Sequence, residues 1–106
     1  MSKTKKEILH LIKKKISEKD KNAEVILFGS QARNEETENS DWDVLILLNS
    51  SNISRETEKL FRELMFEIEL ETEKPISTFV FSKQEWHDKH LHTPLYDNIK
   101  KEGILL

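Results

Sequence analysis

Apolar residues fall along the chain in two alternating kinds of run. The first is periodic. Ile8, Ile12 and Ile16 recur every four residues, with Leu9 beside them and lysines on the other faces, which predicts an amphipathic helix over residues 3–20. The second is continuous: Glu24-Val25-Ile26-Leu27-Phe28, ended by Gly29, is short and apolar, as a buried strand is. Residues 31–40 are polar and hold no long apolar pattern, so they predict a connection with one helical turn at its start. Asp43-Val44-Leu45-Ile46-Leu47-Leu48 predicts a second buried strand, stopped by Asn49-Ser50-Ser51-Asn52. Leu60, Phe61, Leu64, Met65 and Ile68 then recur at spacings of three and four, a helix capped by Ser54 or Asn52 and running to about Glu71.

Pro75 marks a boundary, and Ile76 to Phe81 predicts a third strand rich in β-branched and aromatic residues. Two short helical segments follow, 83–90 and 94–101, with Pro94 suited to a first helical position and Gly103 to a helix end. The order predicts an α/β domain: a small mixed or antiparallel sheet of three to four strands covered by helices, with residues 1–106 as a single domain.

Composition narrows the function classes. Hydrophobic residues are 36% and charged residues 35% of 106, but the periodic runs mark a folded chain. A net charge of −3 with no basic half gives no indication of non-specific nucleic-acid binding driven by bulk charge. With no cysteine there is no disulfide, thiolate zinc site or cysteine nucleophile. Lysines interrupt the apolar stretch after Met1, and no run reaches the roughly 20 apolar residues of a membrane span, so no membrane association and a cytoplasmic location are the expectations.

The chemistry sits at the ends of the first two strands. Asp41 and Asp43 open the second strand two residues apart, so both carboxylates point to one face, with Cα atoms about 6.6 Å apart. Trp42 points the other way, into the core. Two carboxylates so placed can share magnesium, whose octahedron phosphate oxygens and water complete. Gly29 lets the backbone turn sharply beside a ligand, and a helical turn starting at Gln31 would offer free N–H groups to an anion, with the Ser30 hydroxyl as a further donor. Each half alone has an ordinary reading, as a capping acid or a strand-to-helix turn; the two together, each at the end of a buried strand, form a metal-triphosphate site. Arg33 either touches a phosphate or braces the turn through an ion pair. The lysines of the first helix read as a solvated face, and His87, His90 and His92 as surface residues without the acid partner of a metal site.

Gly29-Ser30, ten residues, then Asp41-Trp42-Asp43 resembles the signature of the DNA polymerase beta nucleotidyltransferase superfamily. Gly29-Ser30-Gln31-Ala32-Arg33 and Ser40-Asp41-Trp42-Asp43-Val44 are most similar to its minimal nucleotidyltransferase branch, as is the tail from Pro94 to Leu106 with Asn98-Ile99 and Glu102-Gly103. The resemblance implies the nucleotidyltransferase fold, Gly29 and Ser30 on the triphosphate, and Asp41 and Asp43 as catalytic ligands of Mg2+. It implies transfer of a nucleoside monophosphate from ATP, and an antitoxin-like pairing in which a helical HEPN-domain toxin is the acceptor.

Two positions depart from the pattern. Asn34 replaces the glycine that usually follows the arginine, and asparagine tolerates left-handed backbone. In the third strand, Ser77 or Thr78 stands where active relatives carry a third carboxylate that activates the acceptor hydroxyl. Loss of a positioned base costs about 10²–10⁴-fold in rate. Glu71 or Glu73 is a possible substitute on the far side of Pro75. Two functions therefore stand open: a nucleotidyltransferase, and a catalytically impaired module that binds nucleotide or a partner. An antibiotic-modifying transferase is disfavoured, because no length remains for a drug pocket.

Overall fold

A computed structural model describes residues 4–37, 40–50, 52–89 and 91–106. Helix α1 spans Lys5–Lys19. Thr4 opens it with a capping box, its hydroxyl accepting from the Glu7 N–H while the Glu7 side chain reaches back to the Thr4 N–H. Strand β1 is Glu24–Phe28, and α2 is a single turn, Ser30–Arg33. Strand β2 is Trp42–Leu48; α3, Arg55–Thr72, is capped by Ser54, whose side chain accepts from the Thr57 N–H. Strand β3 is Ile76–Ser82, followed by α4, Lys83–Lys89, and α5, Pro94–Glu102, with Pro94 in its first turn and Gly103 at its C-cap.

The sheet is mixed and four-stranded, in the order β3-β2-β1-β4. β2 runs antiparallel to β1 and parallel to β3, with α3 as the crossover. The fourth strand, β4, is only Ile104–Leu105; it pairs antiparallel to β1 at Leu27 and Ile26, and Leu106 N–H donates to Val25 O at 2.8 Å.

Alternation sorts the strand residues between two layers. Val25, Leu27, Trp42, Val44, Ile46, Ile76 and Val80 meet α1 and α3 in one core, with Ile8, Ile12, Ile16, Phe61, Met65 and Ile68. Phe28, Leu45, Leu47, Phe79 and Phe81 meet α4 and α5 in the other, around Trp86, Tyr96 and Ile99. Asp43 and Ser77 belong to this second face, because they alternate with Trp42 and Val44 in β2 and with Ile76 and Thr78 in β3. Among the described residues no helix is long and apolar enough to cross a membrane.

Candidate active site

The site is built where β1 ends and β2 begins. In the antiparallel register Phe28 lies opposite Asp43, so the turn after β1 meets the first carboxylate of β2. Gly29 adopts φ 76° and ψ −158°, a conformation essentially reserved for glycine. A side chain there would also collide with Asp43: a Cβ would overlap Oδ2 and stand 3.1 Å from Cγ. Glycine thus brings the β1–α2 backbone flush against the Asp43 carboxylate. Asn34 closes α2 in the left-handed region, at φ 58° and ψ 34°, so the asparagine keeps the turn that the usual glycine makes.

Trp42 is buried against α1 and α3, which fixes the orientation of its neighbours. Asp41 is exposed and Asp43 half-buried. The Asp43 carboxyl is held above its ordinary value of 3.8, first by burial and then by the charge of Asp41; Arg33 pulls the other way and Glu102 adds to the rise. The two acids therefore repel one another, with the Arg33 guanidinium as an opposing charge. Among the described residues no group of three or more acidic or histidine side chains could cage a metal alone. The donor chemistry nevertheless suits magnesium, which takes hard oxygen ligands and commonly only one or two protein carboxylates: Asp41 and Asp43 lie close enough for the charge of one to act on the other.

A pH dependence follows. A raised carboxyl keeps its proton in the folded chain where the unfolded chain has lost it, so stability falls as pH rises from 3.8 through the higher folded value and then levels. Asp43→Asn should remove that slope and, without magnesium, raise stability near pH 7, because it takes away a partly buried charge that Asp41 and Glu102 repel. Thermal melts of both proteins across this range check it; parallel curves would mean that Asp43 is ordinarily solvated.

Arg33 does brace the turn. Its Nη1 donates to Glu102 Oε2 at 2.8 Å and its Nε to Glu35 Oε2 at 3.1 Å; these bonds, Glu102 first, raise the guanidinium pKa further. Lys5, expected on a solvated face, is a second brace. Its ammonium donates to Gln31 O at 2.6 Å, Asn34 Oδ1 at 3.0 Å and Glu36 Oε1 at 2.9 Å, and holds the Glu36 carboxyl below its usual value.

The parallel register decides between the two hydroxyls of β3. Ser77 is the partner of Asp43, on the same face; Thr78 is the partner of Val44, on the face toward α3. A neutral hydroxyl occupies the place beside the acid pair. Glu71 and Glu73 end α3, which packs on the opposite face, and neither is among the groups that act on the Asp43 charge. Glu102 is. Its Oε1 accepts the Gly29 N–H at 3.3 Å, an interaction that sequence reading did not assign, although the Glu102-Gly103 pair was its one visible signal.

Other surfaces are less suited to a nucleotide. A groove of about 500 Å³ between α3 and β3 has Arg62 paired with Glu58 and Lys59 with Glu63, and it lies on the face away from Asp43. His87 meets the Tyr96 hydroxyl through Nδ1 at 3.4 Å; His92 takes a positive φ of 74°; His90 lies outside the described residues.

The four-stranded mixed sheet packed by helices is consistent with a nucleotidyltransferase fold. The chain belongs to the nucleotidyltransferase domain family, whose model matches residues 9–106, and within it to the minimal nucleotidyltransferases. Two proteins of Methanocaldococcus jannaschii are similar to it. One, named "Putative protein adenylyltransferase MJ0141", is 34% identical over 100 residues, which are 92% of this chain and 94% of that protein. The other, named "Putative protein adenylyltransferase MJ0126", is 56% identical over 41 residues, so the match spans 39% of this chain and less than half, 42%, of that protein. Nucleotidyl transfer is the general chemistry to which family and relatives point.

Proposed function

We propose that this domain binds Mg·ATP at the β1–β2 end of its sheet and transfers AMP to a hydroxyl on a partner protein, with pyrophosphate as leaving group. The observation that carries the reading is the Asp43 carboxylate seated against Gly29, which would set a metal ligand directly beside the backbone of the glycine turn. Gly29 and Ser30 would receive the triphosphate, with Arg33 beside them, and Asp41 and Asp43 would ligate Mg2+. A metal held there by Asp41 and Asp43 would supply charge neutralisation of the phosphates and orientation for an in-line attack. The chain's part is to hold both acids in place, to keep the turn rigid through Arg33 and Lys5, and to bury one side of the site against Phe28. A protein acceptor is favoured by the names of the two relatives; the HEPN toxin implied by the sequence resemblance is one such protein.

The second reading, a binding module with little turnover, is favoured by one observation: Ser77, with no acid, lies beside Asp43. The transferase and the nucleotide-holding form of the module both require metal-dependent nucleotide binding; a module that binds only a partner does not. Calorimetry with ATP should show affinity that rises with magnesium in the wild type, and no magnesium dependence in Asp41→Ala/Asp43→Ala. An unchanged dependence in the double variant would sink the site. Labelled ATP with a co-expressed partner then separates transfer from binding alone.

A further inference from the structure

Glu102 is poorly placed by local rules. It ends α5, where the helix dipole disfavours an acid and where Lys100 and Lys101 supply the expected basic residues. It also adds its charge to a site that already holds Asp41 and Asp43. A residue set against local preference marks a functional constraint. Here the constraint is geometric. Oε1 accepts the Gly29 N–H at 3.3 Å and Oε2 accepts Arg33 Nη1 at 2.8 Å, with the side chain only 20% exposed. Gly103, immediately after, allows this close approach: a Cβ there would stand 2.8 Å from Ile26 Cγ2 and 2.5 Å from Ile99 O. β4 then ties the chain to β1 at Leu27 and Ile26, next to the same turn.

We propose that Glu102 is a positioning residue of the nucleotide site: from the end of α5 its carboxylate holds the Gly29 N–H and the Arg33 guanidinium, and so sets the turn that receives the triphosphate. This rests on the nucleotide-binding reading above. One carboxylate oxygen fixes the backbone of the turn and the other fixes its cation. Glu102 touches neither metal nor phosphate; it acts through Gly29 and Arg33.

The test uses the full chain and a non-hydrolysable ATP analogue with magnesium. The sequence has two glycines, so the Gly29 amide is readily assigned by NMR. Glu102→Ala should shift the Gly29 amide and weaken analogue binding about 3- to 10-fold, the loss of one or two hydrogen bonds. Glu102→Gln keeps an acceptor for the Gly29 N–H but sets an amide N–H toward Arg33, so it should return the amide to near its wild-type position and recover part of the affinity; a merely structural role would not separate Gln from Ala at equal melting temperature. An unmoved Gly29 amide in Glu102→Ala overturns the proposal, as does a loss of affinity explained by unfolding in the melt. A wild type that binds while Glu102→Ala binds equally or more tightly ends this proposal alone; a wild type that binds no nucleotide ends the functional reading with it.

Discussion

Replacing Ser77 by Asp is expected to raise pyrophosphate release by a factor approaching about 10²–10⁴, the usual contribution of a positioned general base. Parallel pairing places position 77 beside Asp43, on the face that carries the acid pair. A carboxylate there would be near the metal and able to take a proton from an acceptor hydroxyl, which serine cannot do at neutral pH. The substitution should also lower the melting temperature without magnesium, because a further negative charge joins Asp41 and Asp43, which already repel, and Glu102, which adds to the rise. Magnesium should restore more stability to Ser77→Asp than to the wild type, since ligand binding to the folded state stabilises it by mass action. Thr78→Asp is the control. Position 78 faces α3, where Arg62 already donates to its backbone carbonyl at 2.9 Å, so an acid there stays near a cation and away from the site. No gain in Ser77→Asp, with the fold intact and wild-type turnover already high, would mean that the base is supplied from elsewhere.

Gly29→Ala is expected to cost about 1–3 kcal/mol of stability from backbone strain, since φ 76° with ψ −158° belongs to glycine. A second effect is separable from the first. The new Cβ would displace the Asp43 carboxylate, and a misplacement of about 1 Å at a reacting centre can cost about 10²-fold in rate. A double-mutant cycle distinguishes the two. If the collision with Asp43 matters, Gly29→Ala should cost less in the Asp43→Ala background than alone, a coupling of the size seen between residues in contact, about 0.5–3 kcal/mol. Strict additivity in thermal and denaturant unfolding would leave backbone strain as the whole effect.

Much of the fold was readable because the signals were local. Ile8, Ile12 and Ile16 mark their helix by period, and β1 and β2 are apolar runs between turn residues. Trp42 was informative in the same way: one large apolar residue between two acids fixes which way the acids face. Asn34 was legible as a left-handed turn residue. What escaped was long-range. Ile104 and Leu105 are two exposed residues without a period and become a strand only by pairing with β1. Ser77 and Thr78 are both small and polar, so only the register tells them apart. Lys5 resembles every other lysine of α1 until its three acceptors, all in the segment after β1, are seen. Glu102 resembles an ordinary surface acid, because its partner Gly29 is 73 residues away.

The pairing of β4 with β1 links affinity to fraying. Its ladder is two residues long, with Ile104 and Leu105 largely open to solvent, so it belongs with the segments that open well before a core does. If the last turn of α5 opens together with β4, Glu102 no longer holds the Gly29 turn, although β1, β2 and both aspartates remain in place. Apparent affinity is then the intrinsic affinity scaled by the fraction of molecules with the tail docked. Mild heat or low denaturant would therefore weaken nucleotide binding while the core absorbance and far-ultraviolet signals are still native, and saturating nucleotide would slow hydrogen exchange in residues 104–106 more than in α1.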